Sequence, residues 1–342
     1  MTIMKLCCAA LLFAITCLTT TMSSAAGAPA VAAAPVLDDR YPRAEVAFAQ
    51  GVTSLPDLIY SQPPGFRPLR LDLYKPKAAS KTGYPLVVYI HGGGWQSGHT
   101  RHSGAFANWP SVLASLAAQG FVVVSIEYRL SSEATFPAAI QDVKTSIRWL
   151  RSKADEFSID RKRAIVWGGS AGGQLAALAA TSCNDQALAP LLTDVQAKLK
   201  NESDCVQGVV AWYGIFDFSS LPEFSGTNAT PNVKSAAAKY LDCQTSNCGE
   251  RLALASTSKR IGPSTPPVLL IHGDKDQVVP VDQSRSFHVA LRAKNIPAEL
   301  MVIEGVDHSF IGATPEQTRK ASLDALSKTI AFIKSTAGAS GS

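Results

Sequence analysis

The chain has 342 residues, of which 46% are hydrophobic and 17% charged, enough to bury a sizeable core as an ordinary globular protein. Its formal net charge is only +5, and no block of Lys or Arg stands out, which argues against a nucleic-acid partner.

The chain opens with a short basic start at residues 1–5 and an apolar run at 6–18 that is short for a bilayer span. Small residues follow, Ser23-Ser24-Ala25-Ala26 and Ala28-Pro29-Ala30, as a signal peptidase requires. Residues 1–26 therefore read as a removed secretory signal, which predicts a secreted or periplasmic protein without stable membrane insertion. A lipid anchor on Cys17 is disfavoured by the bulk of Thr16 before it. Residues 27–60 lack clear periodicity and read as a lead-in, and residues 61–336 read as one catalytic domain.

Residues 69–73 alternate apolar with charged, the pattern of a strand with one wet face. Residues 86–90, 121–126, 206–212, 268–271 and 300–303 are mostly continuous apolar runs, as expected for strands covered on both faces of a parallel sheet. Between them, Ile140, Val143, Ile147 and Leu150 recur at helical steps after Pro137. Thr314-Pro315-Glu316-Gln317 offers an N-cap, a first-turn proline and a capping-box Gln, with Leu323, Leu326, Ile330 and Ile333 as the apolar face beyond. Strands alternating with helices predict a doubly wound α/β fold with its site at the carboxyl ends of strands.

Cys7, Cys8 and Cys17 leave with the signal, so Cys183, Cys205, Cys243 and Cys248 remain. An even count in an exported chain predicts two disulfides, paired nearest-neighbour as Cys183 with Cys205 and Cys243 with Cys248. No His pair accompanies them at zinc-ligand spacing.

Gly168-Gly169-Ser170-Ala171-Gly172 lies between a strand-like run at 163–167 and a helix-forming run at 173–180. That order is the context of a nucleophile elbow, a strained turn that exposes one serine. A serine hydroxyl is a weak nucleophile, so Ser170 needs a base and the base needs an acid to orient it. Of six histidines, His308 stands in a turn after a late strand, in Gly305-Val306-Asp307-His308. The acid belongs between them in chain order, and the loop His272-Gly273-Asp274-Lys275-Asp276 supplies Asp276, with Asp274 and Asp307 as rivals. His91-Gly92-Gly93-Gly94-Trp95 follows another strand, and its glycines allow the N–H groups of Gly93 and Gly94, with that of Ala171, to hold an oxyanion. His91 reads as a residue that holds this loop. Trp95 and Tyr213 are candidate substrate contacts, with Phe216 a further wall residue, and Arg129 with Asp142 reads as a structural pair. Residues 222–248 are candidates for a partial lid.

These segments, together with Tyr128-Arg129-Leu130 and Phe136-Pro137-Ala138-Ala139, resemble the α/β-hydrolase esterases over about residues 65–335. The likeness is to the hormone-sensitive-lipase-like carboxylesterases and the bacterial feruloyl and acetylxylan esterases. It implies an α/β-hydrolase fold, a mostly parallel sheet flanked by helices, and hydrolysis of carboxylic esters of small molecules or polysaccharide through an acyl-enzyme. The resemblance implies neither a metal nor an organic cofactor. Lipase-like members usually carry an acidic residue where this chain has Gly169, and a Pro-Glu-His run where it has Ser131-Ser132-Glu133-Ala134, which favours the feruloyl and acetylxylan side. An amidase or peptidase on the same scaffold, and a silent binding protein, are the rival readings.

Overall fold

The computed structural model describes residues 44–338 apart from 79, 191, 193, 225–234 and 244–247, so the expected signal at 1–26 lies outside the described residues, as does the first half of the lead-in, 27–43. Nine strands form one sheet: β1 Val46–Ala47, β2 Thr53–Ser61, β3 Leu69–Lys75, β4 Tyr84–Ile90, β5 Val122–Ile126, β6 Ile159–Gly169, β7 Gly208–Trp212, β8 Val268–Gly273 and β9 Ala298–Ile303. Their order is β1-β2-β3-β5-β4-β6-β7-β8-β9. The β1–β2, β2–β3 and β3–β5 pairs are antiparallel, and β5 through β9 are parallel throughout. The domain boundary expected at residue 61 falls inside this sheet, because β2 pairs with β3 from Thr53 onwards.

The helices are α1 Trp109–Ala117, α2 Ala138–Ser152, α3 Ala154–Phe157, α4 Ala171–Thr181, α5 Ala236–Leu241, α6 Gly249–Ala255, α7 Asp282–Ala293 and α8 Pro315–Ala337. They cover both faces of the sheet, and the core divides accordingly. Along β4, Leu86, Val88 and Ile90 face the layer that contains α2 and α4, and Val87 and Tyr89 face the layer of α1 and α8. Two buried faces explain why this strand is apolar at every position instead of every second one.

Four details differ from the reading of the sequence. Asp72 on β3, expected on a wet face, is buried and accepts hydrogen bonds from the Asp57 backbone N–H, Thr100 Oγ1 and Arg101 Nε. The run at 300–303 belongs to the edge strand β9, where Val302 is 39% exposed. On α8 the buried stripe runs through Ala321, Ala325, Thr329 and Ile333, and Leu323 is exposed. The small residues bring the helix close enough for Thr329 Oγ1 to accept from Trp212 Nε1 at 2.9 Å. Thr314 caps the helix as expected, but Gln317 takes the N–H of Ala313, one residue further back than a capping box requires.

Arg129 and Asp142 form a buried bidentate pair that ties the loop after β5 to α2. The four cysteines form Cys183–Cys205 and Cys243–Cys248. No helix among the described residues is long and apolar enough to cross a membrane.

Candidate active site

Five adjacent parallel strands, β4, β6, β7, β8 and β9, end at one place and deliver the loops of the site. Ser170 stands between β6 and α4 at φ 56°, ψ −122°, the strained turn expected of an elbow. Two glycines make the turn feasible. A Cβ on Gly168 would lie 2.3 Å from the Gly172 carbonyl oxygen, and one on Gly172 would lie 2.0 Å from that of Ile90. No side chain fits at either position, which is the physical content of the G-x-S-x-G spacing. Gly169 is also constrained, since a Cβ there would meet the Tyr213 hydroxyl at 2.9 Å.

His308, in the loop after β9, places Nε2 3.0 Å from Ser170 Oγ and Nδ1 2.8 Å from Asp276 Oδ2. Facing a carboxylate, Nδ1 carries the proton, and Nε2 accepts from the serine hydroxyl. The Asp276 carboxylate is buried, and Oδ1 accepts from the Val278 and Val279 N–H groups at 2.9 and 2.8 Å. Burial by itself would raise its pKa. The hydrogen bonds from His272 and His308 outweigh that effect and hold the group well below the usual carboxylate range.

The rival acids have other partners. Asp274 accepts from the Gly305 N–H, and Asp307 accepts from those of Gln277 and His308, so both brace the loops that carry Asp276 and His308. His91 is buried and stacks on Tyr128 at 4.4 Å, with Nδ1 2.8 Å from the Gly92 carbonyl. Burial lowers its pKa to about 4, so it stays neutral and holds the loop.

Two cavities meet at Ser170. The larger, 820 Å³, is bounded by the glycine loop, His99, His102, Ser103, Tyr213 and His308. The smaller, 310 Å³, is walled by Trp95, Ile215, Leu221, Ala236, Val279 and Pro280 among others. Gly94 lines both, and Gly93 lines the larger; Ala171, the first residue of α4, follows the serine directly. Trp95 is a wall and also a plug: it stacks on Tyr240 at 4.4 Å, and its Nε1 donates to Gln174 Oε1 at 3.2 Å. Tyr213 borders the larger cavity but packs edge-on against His308 at 4.8 Å, bracing the imidazole. Phe216, expected as a wall residue, is buried instead against Phe287 at 4.7 Å, and its neighbour Ile215 takes the wall position.

Sequence reading missed His99, His102, Ile215, Leu221 and Ala236. Only His99 and His102, two and five residues beyond Ser97 of the glycine loop, gave any usable signal.

A mostly parallel sheet with a strained serine, a histidine and a buried aspartate at its carboxyl edge defines an α/β-hydrolase. Within that class, the family profile described as BD-FAE matches residues 71–291, and the chain belongs to that family. The match contains Ser170 and Asp276 and ends before His308. Among curated proteins, the chain is 34% identical to esterase LipC of Mycobacterium tuberculosis over 255 residues, 70% of this chain and 56% of LipC. It thus spans about half the length of the curated relatives it matches. Among solved structures, a truncated carbohydrate esterase from gut microbiota superposes with a TM-score of 0.68 at 26% identity, covering 83% of this chain and 96% of that one. An acetyl ester-xyloside bifunctional hydrolase from Caldicellulosiruptor lactoaceticus shares the fold at a TM-score of 0.65 and 22% identity, covering 82% and 95%.

Proposed function

We propose that this protein is an exported serine carboxylesterase acting on short-chain acyl esters of hydroxyl-rich alcohols, acetylated carbohydrate above all. The observation that carries the reading is the continuous hydrogen-bonded path from Ser170 through His308 to Asp276, at 3.0 and 2.8 Å. His308 Nε2 takes the serine proton as Oγ attacks the ester carbonyl. The same nitrogen then protonates the departing alcohol, and water activated by His308 releases the acid from the acyl-enzyme. Asp276 stays ionised and stabilises the imidazolium. The N–H groups of Gly93, Gly94 and Ala171 receive the oxyanion; removing one such donor costs roughly 3–4 kcal/mol of transition-state stabilisation in other hydrolases.

The two cavities support the substrate class. The smaller, apolar one suits a short acyl group, and the larger presents His99, His102, Ser97 and Ser103 to an alcohol rich in hydroxyls. The structural likeness to a carbohydrate esterase supports the same reading. Export is supported by the two disulfides, which persist in oxidising compartments. Of the stretch 222–248 expected as a partial lid, residues 225–234 and 244–247 lie outside the described residues; the lid reading is supported by Pro222, Glu223, Ala236 and Ala237, which line the smaller cavity.

The test is a panel of acetylated xylan, methyl ferulate, p-nitrophenyl esters of increasing chain length and the matching anilide, each with the wild type and Ser170→Ala. Turnover of the acetyl esters that disappears in the variant is the expected result. Preferential cleavage of the anilide, or of long-chain esters, would overturn the substrate assignment.

A further inference from the structure

Asp276 is approached by two histidines. One oxygen of its carboxylate, Oδ1, is fixed by the N–H groups of Val278 and Val279. Both bonds converge on a single atom, so they leave the other oxygen free to swing about it. Oδ2 takes the His308 Nδ1–H at 2.8 Å and also lies 3.1 Å from Nε2 of His272. His308 sits in a loop after the edge strand with its side chain 17% exposed, whereas the His272 side chain is fully buried near the end of β8.

The hydrogen-bond network places a proton on one ring nitrogen of His272. Nε2 faces two acceptors, Asp276 Oδ2 and the Val279 carbonyl at 2.9 Å, so this nitrogen carries a proton. Its Nδ1 lies 2.7 Å from the hydroxyl of Ser284, a buried residue in the first turn of α7. The imidazole is therefore anchored at both nitrogens to different elements. It touches neither Ser170 nor the cavities that meet there.

We propose that His272 is a positioning residue of the reaction: as a fixed donor, it stops the Asp276 carboxylate from pivoting and keeps Oδ2 in line with His308. Ser284 acts through it by anchoring the other side of the ring. The proposal rests on the catalytic reading of Ser170, His308 and Asp276. It follows that His272 serves kcat and leaves substrate binding alone, because orientation of the carboxylate matters only as His308 gains its proton.

The experiment compares His272→Leu, His272→Gln and Ser284→Ala with the wild type. It measures kcat and KM on p-nitrophenyl acetate, the thermal midpoint, and the downfield proton resonance of His308 Nδ1–H. His272→Leu is expected to lower kcat about 10- to 100-fold with KM unchanged and to shift that resonance. His272→Gln, which restores an N–H near the position of Nε2, recovers most of the loss, and Ser284→Ala falls between. Should the Leu variant fail to fold, Ser284→Ala carries the test through a several-fold fall in kcat and the same shift. Wild-type kcat and resonance in the folded variants would overturn the proposal. So would a Gln variant as impaired as Leu with the resonance unmoved, because the role would then be packing alone. Ser170→Ala, run in parallel, separates the two readings: turnover surviving there sinks the catalytic assignment, whereas its loss with normal His272 variants sinks only this one.

Discussion

The two cavities that share Ser170 are built by different means. The larger one is bounded by segments held from beneath by polar bonds. Thr100 and Arg101 are both tied to the buried Asp72, and Ser103 accepts from Tyr89 Oη at 2.5 Å, so the exposed His99 and His102 are presented on a fixed frame. The smaller one is bounded by apolar packing, in which Trp95 stacks on Tyr240 of the short helix α5 and Phe218 packs at a tilt against both. Polar anchoring fixes where donors and acceptors point, whereas apolar packing fixes how much volume remains. Discrimination on the two sides should accordingly follow different rules, hydrogen-bond matching for the alcohol and size for the acyl group.

The strongest way to break this comparison is to remove the atom that both sides share. Ser170→Ala should lower turnover of every ester by at least about a thousandfold while circular dichroism stays unchanged. Activity persisting on one substrate class would mean that the two cavities do not serve one centre. Next in size, Ala237→Phe narrows the 310 Å³ side. It should lower kcat/KM for butyryl esters roughly tenfold relative to acetyl esters, since one or two methylenes in a pocket are worth about 1–3 kcal/mol. Equal losses on both chain lengths would refute size selection. On the other side, His99→Ala with His102→Ala should raise KM several-fold for an acetylated oligosaccharide and leave p-nitrophenyl acetate nearly untouched, as read from paired Michaelis curves. A uniform effect would remove the distinction.

The smallest effect concerns the carboxylate that anchors His308. Asp276 is held below its unfolded carboxylate value, so its ionised form adds stability that is complete above about pH 4 and is lost as the pH falls through the folded value. Asp276→Asn should therefore unfold with a shallower acid dependence than the wild type in denaturant titrations at pH 7 and pH 3. Parallel curves for the two proteins would show that the hydrogen bonds to this carboxylate do not stabilise the fold.

Much of this arrangement was legible in the residues. Continuous apolar runs marked β4, β5, β7 and β8 because both faces of a parallel strand are covered, and that requirement acts on every residue in turn. The elbow was legible because Gly168 and Gly172 leave no alternative at their positions. Asp276 and His308 followed from chain order and turn context. The edge position of β9, the rotated face of α8 and the burial of Asp72 were not legible, since each depends on which neighbour the folded chain supplies. Nor was the second histidine on Asp276, which needs β8 and α7 side by side before His272 can reach both Ser284 and the carboxylate.

Local sterics and the period of apolar residues are properties of short segments, so strands, caps and the strained serine are written into the linear chain. Volume and hydrogen-bond partnership belong to pairs of residues far apart in it, among them Ser170 and His308, separated by 138 positions. The shape of the smaller cavity, the frame of the larger one and the hold on Asp276 therefore came into being only when those segments packed together.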